Sequence, residues 1–233
     1  QSVFLTNDFD DSLEGFDTGR YIPCLRTDDL VFHLNQSSVV NRLQACSGIG
    51  LSQLSDLRQS LSQRFEHFTS RGAKACAISL PPWFSPEPVS DVAAQQALSS
   101  LLANPNTTTL DDQKRLSYWV FWQLAENCSR CHLPFDLMIG VNRRVYPYGV
   151  FQGQDLYDSR LSLIQYAQLF NAFPTVTFPI SVLASVTNQE LASYSWIFPN
   201  VVCHGHWCYS NTPSFIRCDL QARMEAVPRN NLI

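Results

Sequence analysis

Short apolar runs of strand character alternate with longer stretches of helical periodicity along this sequence, and that alternation limits the fold more than any other feature. SVFLTND (Ser2 to Asp8), YIPCL (Tyr21 to Leu25), KACAISL (Lys74 to Leu80), FDLMIGV (Phe135 to Val141), TVTFPISV (Thr175 to Val182) and NVVCHGH (Asn200 to His206) read as six strands. NNLI, Asn230 to Ile233, reads as the start of a seventh. Most of these runs are apolar at successive positions, so they suit strands buried on both faces, as in a parallel sheet covered by helices.

The intervening segments supply those helices. Leu51, Leu54, Leu57, Leu61, Phe65 and Phe68 recur at three- and four-residue steps, with Gly72 placed to end the helix. Further helices are expected over Val89 to Ala103, Leu110 to Asn127 and about Ser159 to Phe173. Thr109-x-x-Asp112 and Thr187-x-x-Glu190 have the form of capping boxes, and Thr212 followed by Pro213 marks a helix running to about Val227. Both glycine-rich phosphate fingerprints, G-x-G-x-x-G and G-x-x-x-x-G-K-[ST], are absent, which argues against a nucleotide-binding doubly wound sheet. The expectation is an α/β fold of the (β/α)8 TIM-like barrel type. No repeat or low-complexity linker interrupts residues 1–233, so they read as one domain.

A net charge of −4 without a basic run gives no footprint for nucleic acid or an anionic membrane surface. No apolar stretch approaches the roughly 18 residues of a membrane span. The eight cysteines lie mostly inside apolar segments and read as buried reduced thiols, which together with the absence of a visible export signal suits the cytoplasm.

In barrels of this type chemistry collects at the C-terminal strand ends. Those ends carry Asn7-Asp8, Arg26-Thr27-Asp28, Ser79, Asn142-Arg143-Arg144, Ser181, and His204, His206 and Trp207. Arginine binds carboxylate bidentately, so Arg26 and Arg143 suit an anionic substrate, while Trp207, Tyr146 and Tyr148 offer apolar faces to a sugar. His204-Gly205-His206 has the look of a metal-binding His-x-His, and alternate residues of a strand share a face. Spacing alone leaves metal ligation, substrate contact and structural roles open. Cys128-Ser-Arg-Cys131-His132 matches the c-type haem attachment pattern, although it closes a helix before an ordinary buried strand.

TNDFDDSLEGFD, CLRTDDLVF, MIGVNRR and the HWCYSN segment, in this order, resemble the uronate (glucuronate) isomerases, distorted-barrel members of the amidohydrolase superfamily. The resemblance implies a chain that begins at barrel strand two, runs through strand seven and stops as strand eight begins. It therefore implies an incomplete barrel, a fragment or a piece completed by another segment. In that order His204-Gly205-His206 falls on strand seven and is not the family's metal motif, which lies on strand one. Arg26-Thr27-Asp28 matches the family's Arg-Pro-Asp. Met138-Ile139-Gly140-Val141-Asn142-Arg143-Arg144 matches its His-Ile-Gly-Ala-x-Arg-Asn, with Met138 in place of the histidine. Trp207 is what remains of Trp-Trp-Phe-Asn-Asp.

What the resemblance implies is aldose–ketose isomerisation of a sugar acid in hexuronate catabolism. Arg26, Asp28, Arg143 and Trp207 are then expected at the substrate, and Asp8 and His206 as proton carriers. A divalent, zinc-like metal would be held mostly by residues this chain lacks, and no metal ligand is assigned here. The partner is a small sugar acid, with neither nucleic acid nor membrane, and self-association into a homo-oligomer is left open. Met138 cannot carry a proton, so a sugar-acid-binding barrel without turnover is the alternative, and a haem or redox protein is a more remote one.

Overall fold

The computed structural model describes residues 2–15, 17–143, 145, 148, 156–205 and 212–232. It divides into two compact units, the first of residues 1–77 and 86–133, the second of residues 78–85 and 134–233.

The first unit opens with four short strands, β1 (Val3–Phe4), β2 (Asn7–Asp8), β3 (Tyr21–Ile22) and β4 (Cys24–Arg26). SVFLTND and YIPCL, each expected as one strand, are therefore each two. Val3 and Phe4 pair with Tyr21 and Ile22, whereas Asn7 and Asp8 pair with Leu25 and Arg26. Pro23, which has no N–H to give a ladder, stands between β3 and β4. Helices α1 (Asp28–Phe32) and α2 (Ser37–Ser47) follow, then α3 (Leu54–Ser70). The face of α3 marked by Leu57, Leu61, Phe65 and Phe68 is buried throughout, as its periodicity requires.

Strand β5 (Ala75–Leu80) gives its first three residues to this unit, where they pair in parallel with β4. The helices α4 (Asp91–Ala103) and α5 (Leu110–Cys131) pack on each other and on α3. Thr109 caps α5 as expected, its hydroxyl accepting the amide of Asp112 at 3.1 Å. The buried Trp119 of α5 donates its indole N–H to Asp91 at the start of α4, 2.9 Å away.

The second unit holds Ile78–Leu80 of β5, then β6 (Phe135–Ile139), β7 (Val141–Asn142) and β8 (Leu156–Tyr157). Then come α6 (Ala167–Ala172), β9 (Phe178–Val182), α7 (Ser185–Ile197), β10 (Val201–Cys203) and α8 (Pro213–Ala226). Strands β6, β9 and β10 lie side by side in that order, all parallel. Leu137, Ile180 and Cys203 stand level in the register and are fully buried.

Some expected helix signals resolve differently. The region around Ser159 to Phe173 is a 3-10 turn, Leu163–Tyr166, followed by the short α6. Thr187 and Glu190 do not form a capping box, because α7 starts earlier, at Ser185. The Thr187 hydroxyl donates to the carbonyl of Ala184, and Glu190 instead accepts from the Ser162 hydroxyl at 2.6 Å and the Leu163 amide at 3.0 Å. Within NNLI, Asn230 and Asn231 lie in a 3-10 turn and Leu232 makes one parallel bridge to Cys203. No described helix is long and apolar enough to cross a membrane.

Candidate active site

A strand presents alternate residues to opposite faces, so register decides which strand-end groups can meet. In the first unit Asn7, Leu25 and Cys76 stand level on the buried face, and Asp8, Arg26 and Ala77 stand level on the other. Asp8 and Arg26 are thus neighbours at the C-terminal ends of β2 and β4. Thr27, fully buried, locks the turn that follows: its amide and its hydroxyl both donate to the carbonyl of Ala77 at 3.1 Å. The turn brings Asp28 to the first position of α1, where its Oδ2 accepts from Arg26 Nε at 3.2 Å.

Arg42, from α2, is the second cation of this end. Its guanidinium clamps Asp10 through Nε at 2.8 Å and Nη2 at 2.5 Å, donates from Nη1 to Asp29 at 2.8 Å, and lies 3.6 Å from Asp8. Burial works against the charge of Arg26. The carboxylates of Asp28, Asp8 and Asp29 outweigh it and hold the guanidinium pKa above its usual value. The Arg42 hydrogen bonds hold the Asp10 carboxyl below the usual carboxylate range. The cluster sets four carboxylates, Asp8, Asp10, Asp28 and Asp29, against the guanidiniums of Arg26 and Arg42, and the Arg26 side chain is still 42% exposed.

In the second unit Leu137, Ile180 and Cys203 share one fully buried face, which sends Asp136, Met138 and Ser181 to the opposite face. His204 follows β10 and extends its ladder, its amide donating to the carbonyl of Ile180 at 2.9 Å. The alternation therefore places its imidazole beside that row. His204 Nδ1 lies 3.5 Å from Asp136 Oδ1. That is long for a hydrogen bond though within reach of an ion pair, and Oδ1 has no hydrogen-bond partner among the described residues. Contact with Asp136 outweighs burial and raises the imidazole pKa.

Arg143 follows β7 and is exposed. The backbone before it is held by the Gly140 amide, which donates to the carbonyl of Leu80 at 2.9 Å, and by Asn142 Nδ2, 3.1 Å from Asp158. Asp8, Arg26 and Asp28 are thus brought together in the first unit, and Arg143 belongs to the second. His206 and Trp207 lie outside the described residues, as do Arg144 and Tyr146. The residues that sequence reading missed are Arg42, Asp136 and Arg223. A lone carboxylate in the apolar run FDLMI was the available signal for Asp136, because an unpaired buried charge is costly. Arg42 and Arg223 sit in helices whose periodicity gives no such hint.

Among the described residues no group of three or more histidine, cysteine or acidic side chains is arranged to hold a metal ion. Met138 adds only a thioether to its face, a poor ligand for a hard cation. The described residues do not by themselves fit a divalent metal. The haem pattern fares no better: Cys128 is fully buried inside α5, and His132 caps that helix in a left-handed backbone conformation, φ 54°.

A family model described as glucuronate isomerase matches residues 12–197. A sequence search of curated proteins gives no match. Among solved structures, a uronate isomerase from Thermotoga maritima superposes with a TM-score of 0.89 at 18% identity, over 97% of this chain and 53% of its own. The glucuronate isomerase from Caulobacter crescentus gives 0.87 at 16% identity, covering 100% and 52%, and a uronate isomerase from Bacillus halodurans gives 0.76 at 23%, covering 100% and 50%. The chain thus spans about half the length of the structures it resembles.

Proposed function

Since the chain belongs to the glucuronate isomerase family, we propose that the protein it forms part of interconverts an open-chain uronic acid and the matching keto acid. The observation that carries this reading is the family match across residues 12–197, which spans Arg26-Thr27-Asp28 and Asn142-Arg143. On this reading residues 1–233 are one incomplete (β/α)8 barrel domain, covering strands two to seven and the start of strand eight. The same reading has it act on a sugar acid in the cytoplasm.

The reaction moves a proton between neighbouring carbons through an enediol, so it needs a base, protonation of oxygen, and cations for the distant carboxylate. Arg26 is assigned to anionic or carbonyl oxygen, with Asp28 holding its guanidinium, and Arg143 to the same kind of oxygen. Trp207 is assigned to the sugar chain, and Asp8 and His206 to proton transfer. A divalent metal would need ligands other than the described residues, and no step here runs through one.

The test is an assay of the full-length protein with glucuronate and with galacturonate, with and without added divalent metal. Ketose formation is the expected result. The second reading, a barrel that binds sugar acids without turning them over, is favoured by Met138 where the resemblance puts a histidine. Binding by calorimetry with no ketose formed under any metal condition would establish it in place of the isomerase.

A further inference from the structure

The two arginines at the strand ends of the first unit spend their donors in opposite ways. Arg42 of α2 is used up: Nε and Nη2 go to Asp10, Nη1 goes to Asp29, and Nη2 also lies 3.6 Å from Asp8. Arg26 gives only Nε, to Asp28 at 3.2 Å, and no described residue accepts from either of its Nη atoms. The far end of its guanidinium, where two N–H donors lie side by side, is therefore open, on a side chain that is partly exposed. Two buried arginines show the contrast, because both spend donors on the backbone. Arg64 donates to the carbonyls of Phe9 and Cys46, and Arg223 of α8 donates to the carbonyl of His204 and to Asn188 of α7. The open fork of Arg26 is the more notable because a carboxylate stands beside it. Asp8 is level with Arg26 on the neighbouring strand, and paired strands lie about 5 Å apart. Yet their ion pairs run elsewhere, Asp8 to Arg42 and Arg26 to Asp28.

We infer that Arg42 is a positioning residue for substrate: by holding Asp8, it keeps the fork of Arg26 free for the carboxylate of the sugar acid. The inference rests on the sugar-acid reading given above, and it assigns Arg26 an internal competitor as well as a ligand. Two parallel N–H···O bonds are the strong, oriented way for a guanidinium to take a carboxylate. An aspartate that swings onto the same fork takes it within the molecule, and an external anion must then displace it. With Arg42 removed, the cation left beside Asp8 is Arg26. Long-range attraction does not help the substrate here, because four carboxylates face two guanidiniums at this end. What an anion can use is an unoccupied pair of donors. Arg42 therefore acts on affinity, through Asp8 and Arg26, and touches neither the substrate nor the reacting carbons.

The test is calorimetric binding of gulonate to the full-length protein. Gulonate is glucuronate with its aldehyde reduced to an alcohol, so it keeps the carboxylate and cannot turn over. Arg42→Met should weaken its binding about 10-fold, the scale of one charge-assisted bond given up to a competitor. Adding Asp8→Asn to Arg42→Met should return the affinity to within about twofold of wild type, because an amide is a far weaker partner for the fork. An Arg42 that only supports the fold would leave the double variant no tighter than the single one. If Arg42→Met does not fold by circular dichroism, Arg42→Lys takes its place. It keeps the charge but not the planar fork that spans the carboxylates, so the same order is expected with a smaller step of about threefold. Unchanged gulonate binding in the folded Arg42 variant, or a loss that Asp8→Asn does not restore, overturns the inference and leaves the isomerase reading standing. A wild-type protein that forms ketose but binds no gulonate also overturns the inference alone. One that binds gulonate and shows the loss and its rescue, yet forms no ketose from either uronate, overturns the isomerase reading and leaves the inference.

Discussion

Asp10 accepts two bonds from one guanidinium: Arg42 Nε reaches its Oδ2 at 2.8 Å and Nη2 its Oδ1 at 2.5 Å. The clamp ties α2 to the segment after β2, and the same guanidinium lies over the Phe9 ring, 4.6 Å from its centroid. Bidentate pairing gives both strength and direction. Removing it with Arg42→Met leaves Asp8, Asp10 and Asp29 facing one another without their shared cation. Arg42 is 33% exposed, so solvent screening trims the effect. The expected loss is about 1–2 kcal/mol, read as a lower urea midpoint, and the difference should narrow in high salt.

Acid should erase that difference. The Arg42 bonds hold the Asp10 pKa below its unfolded value, so the pair contributes fully above the unfolded pKa of about 3.9 and is lost as pH falls through the folded one. Wild type and Arg42→Met should therefore converge in urea midpoint as pH is lowered below about 4. A gap that persists unchanged at lower pH would assign the loss to packing on Phe9 instead.

Gly140 tests the support behind Arg143. Its φ is +98°, and an added Cβ would lie 3.0 Å from Leu161 Cδ2. Gly140→Ala is expected to cost about 1–3 kcal/mol from backbone strain and crowding together. Gly48 ends α2 at φ +70° with nothing within 4 Å of the added carbon, so Gly48→Ala should cost less, about 1 kcal/mol. Urea denaturation of the two variants side by side separates strain from crowding. Equal losses would show that Leu161 simply moves aside.

The fold was legible where a segment obeys one periodicity and is capped by its own residues, as α3 and α5 are. It was less legible where long-range pairing overrides local pattern. SVFLTND reads as one strand, yet its two ends pair with different partners, and no local signal marks the break. Arg26 with Asp28 could be found because the two are adjacent in sequence and share a turn. His204 with Asp136 could not, because the pair is made by the order β6-β9-β10, which puts residues far apart in sequence on one face. Arg223 reads as a solvated helix charge until α8 is laid against α7 and β10.

The cysteines give a labelling order that tests the burial pattern and the haem pattern together. Among the described thiols Cys218 is exposed, Cys46 and Cys131 are half-buried, and Cys24, Cys76, Cys128 and Cys203 are buried. Burial pushes the pKa of Cys46 and Cys203 upward, which lowers their thiolate fraction and slows attack. In native protein treated with iodoacetamide and read by peptide mass spectrometry, Cys218 should be modified first and Cys131 and Cys46 later. The four buried thiols should label at the unfolding rate. Thioether attachment through Cys128 and Cys131 would require the last turn of α5 to unwind and expose a side chain that is now fully enclosed. The purified protein should therefore lack a Soret band. Rapid native labelling of Cys128 would mean that this turn opens freely, and the packing of α5 on α3 and α4 would then need revision.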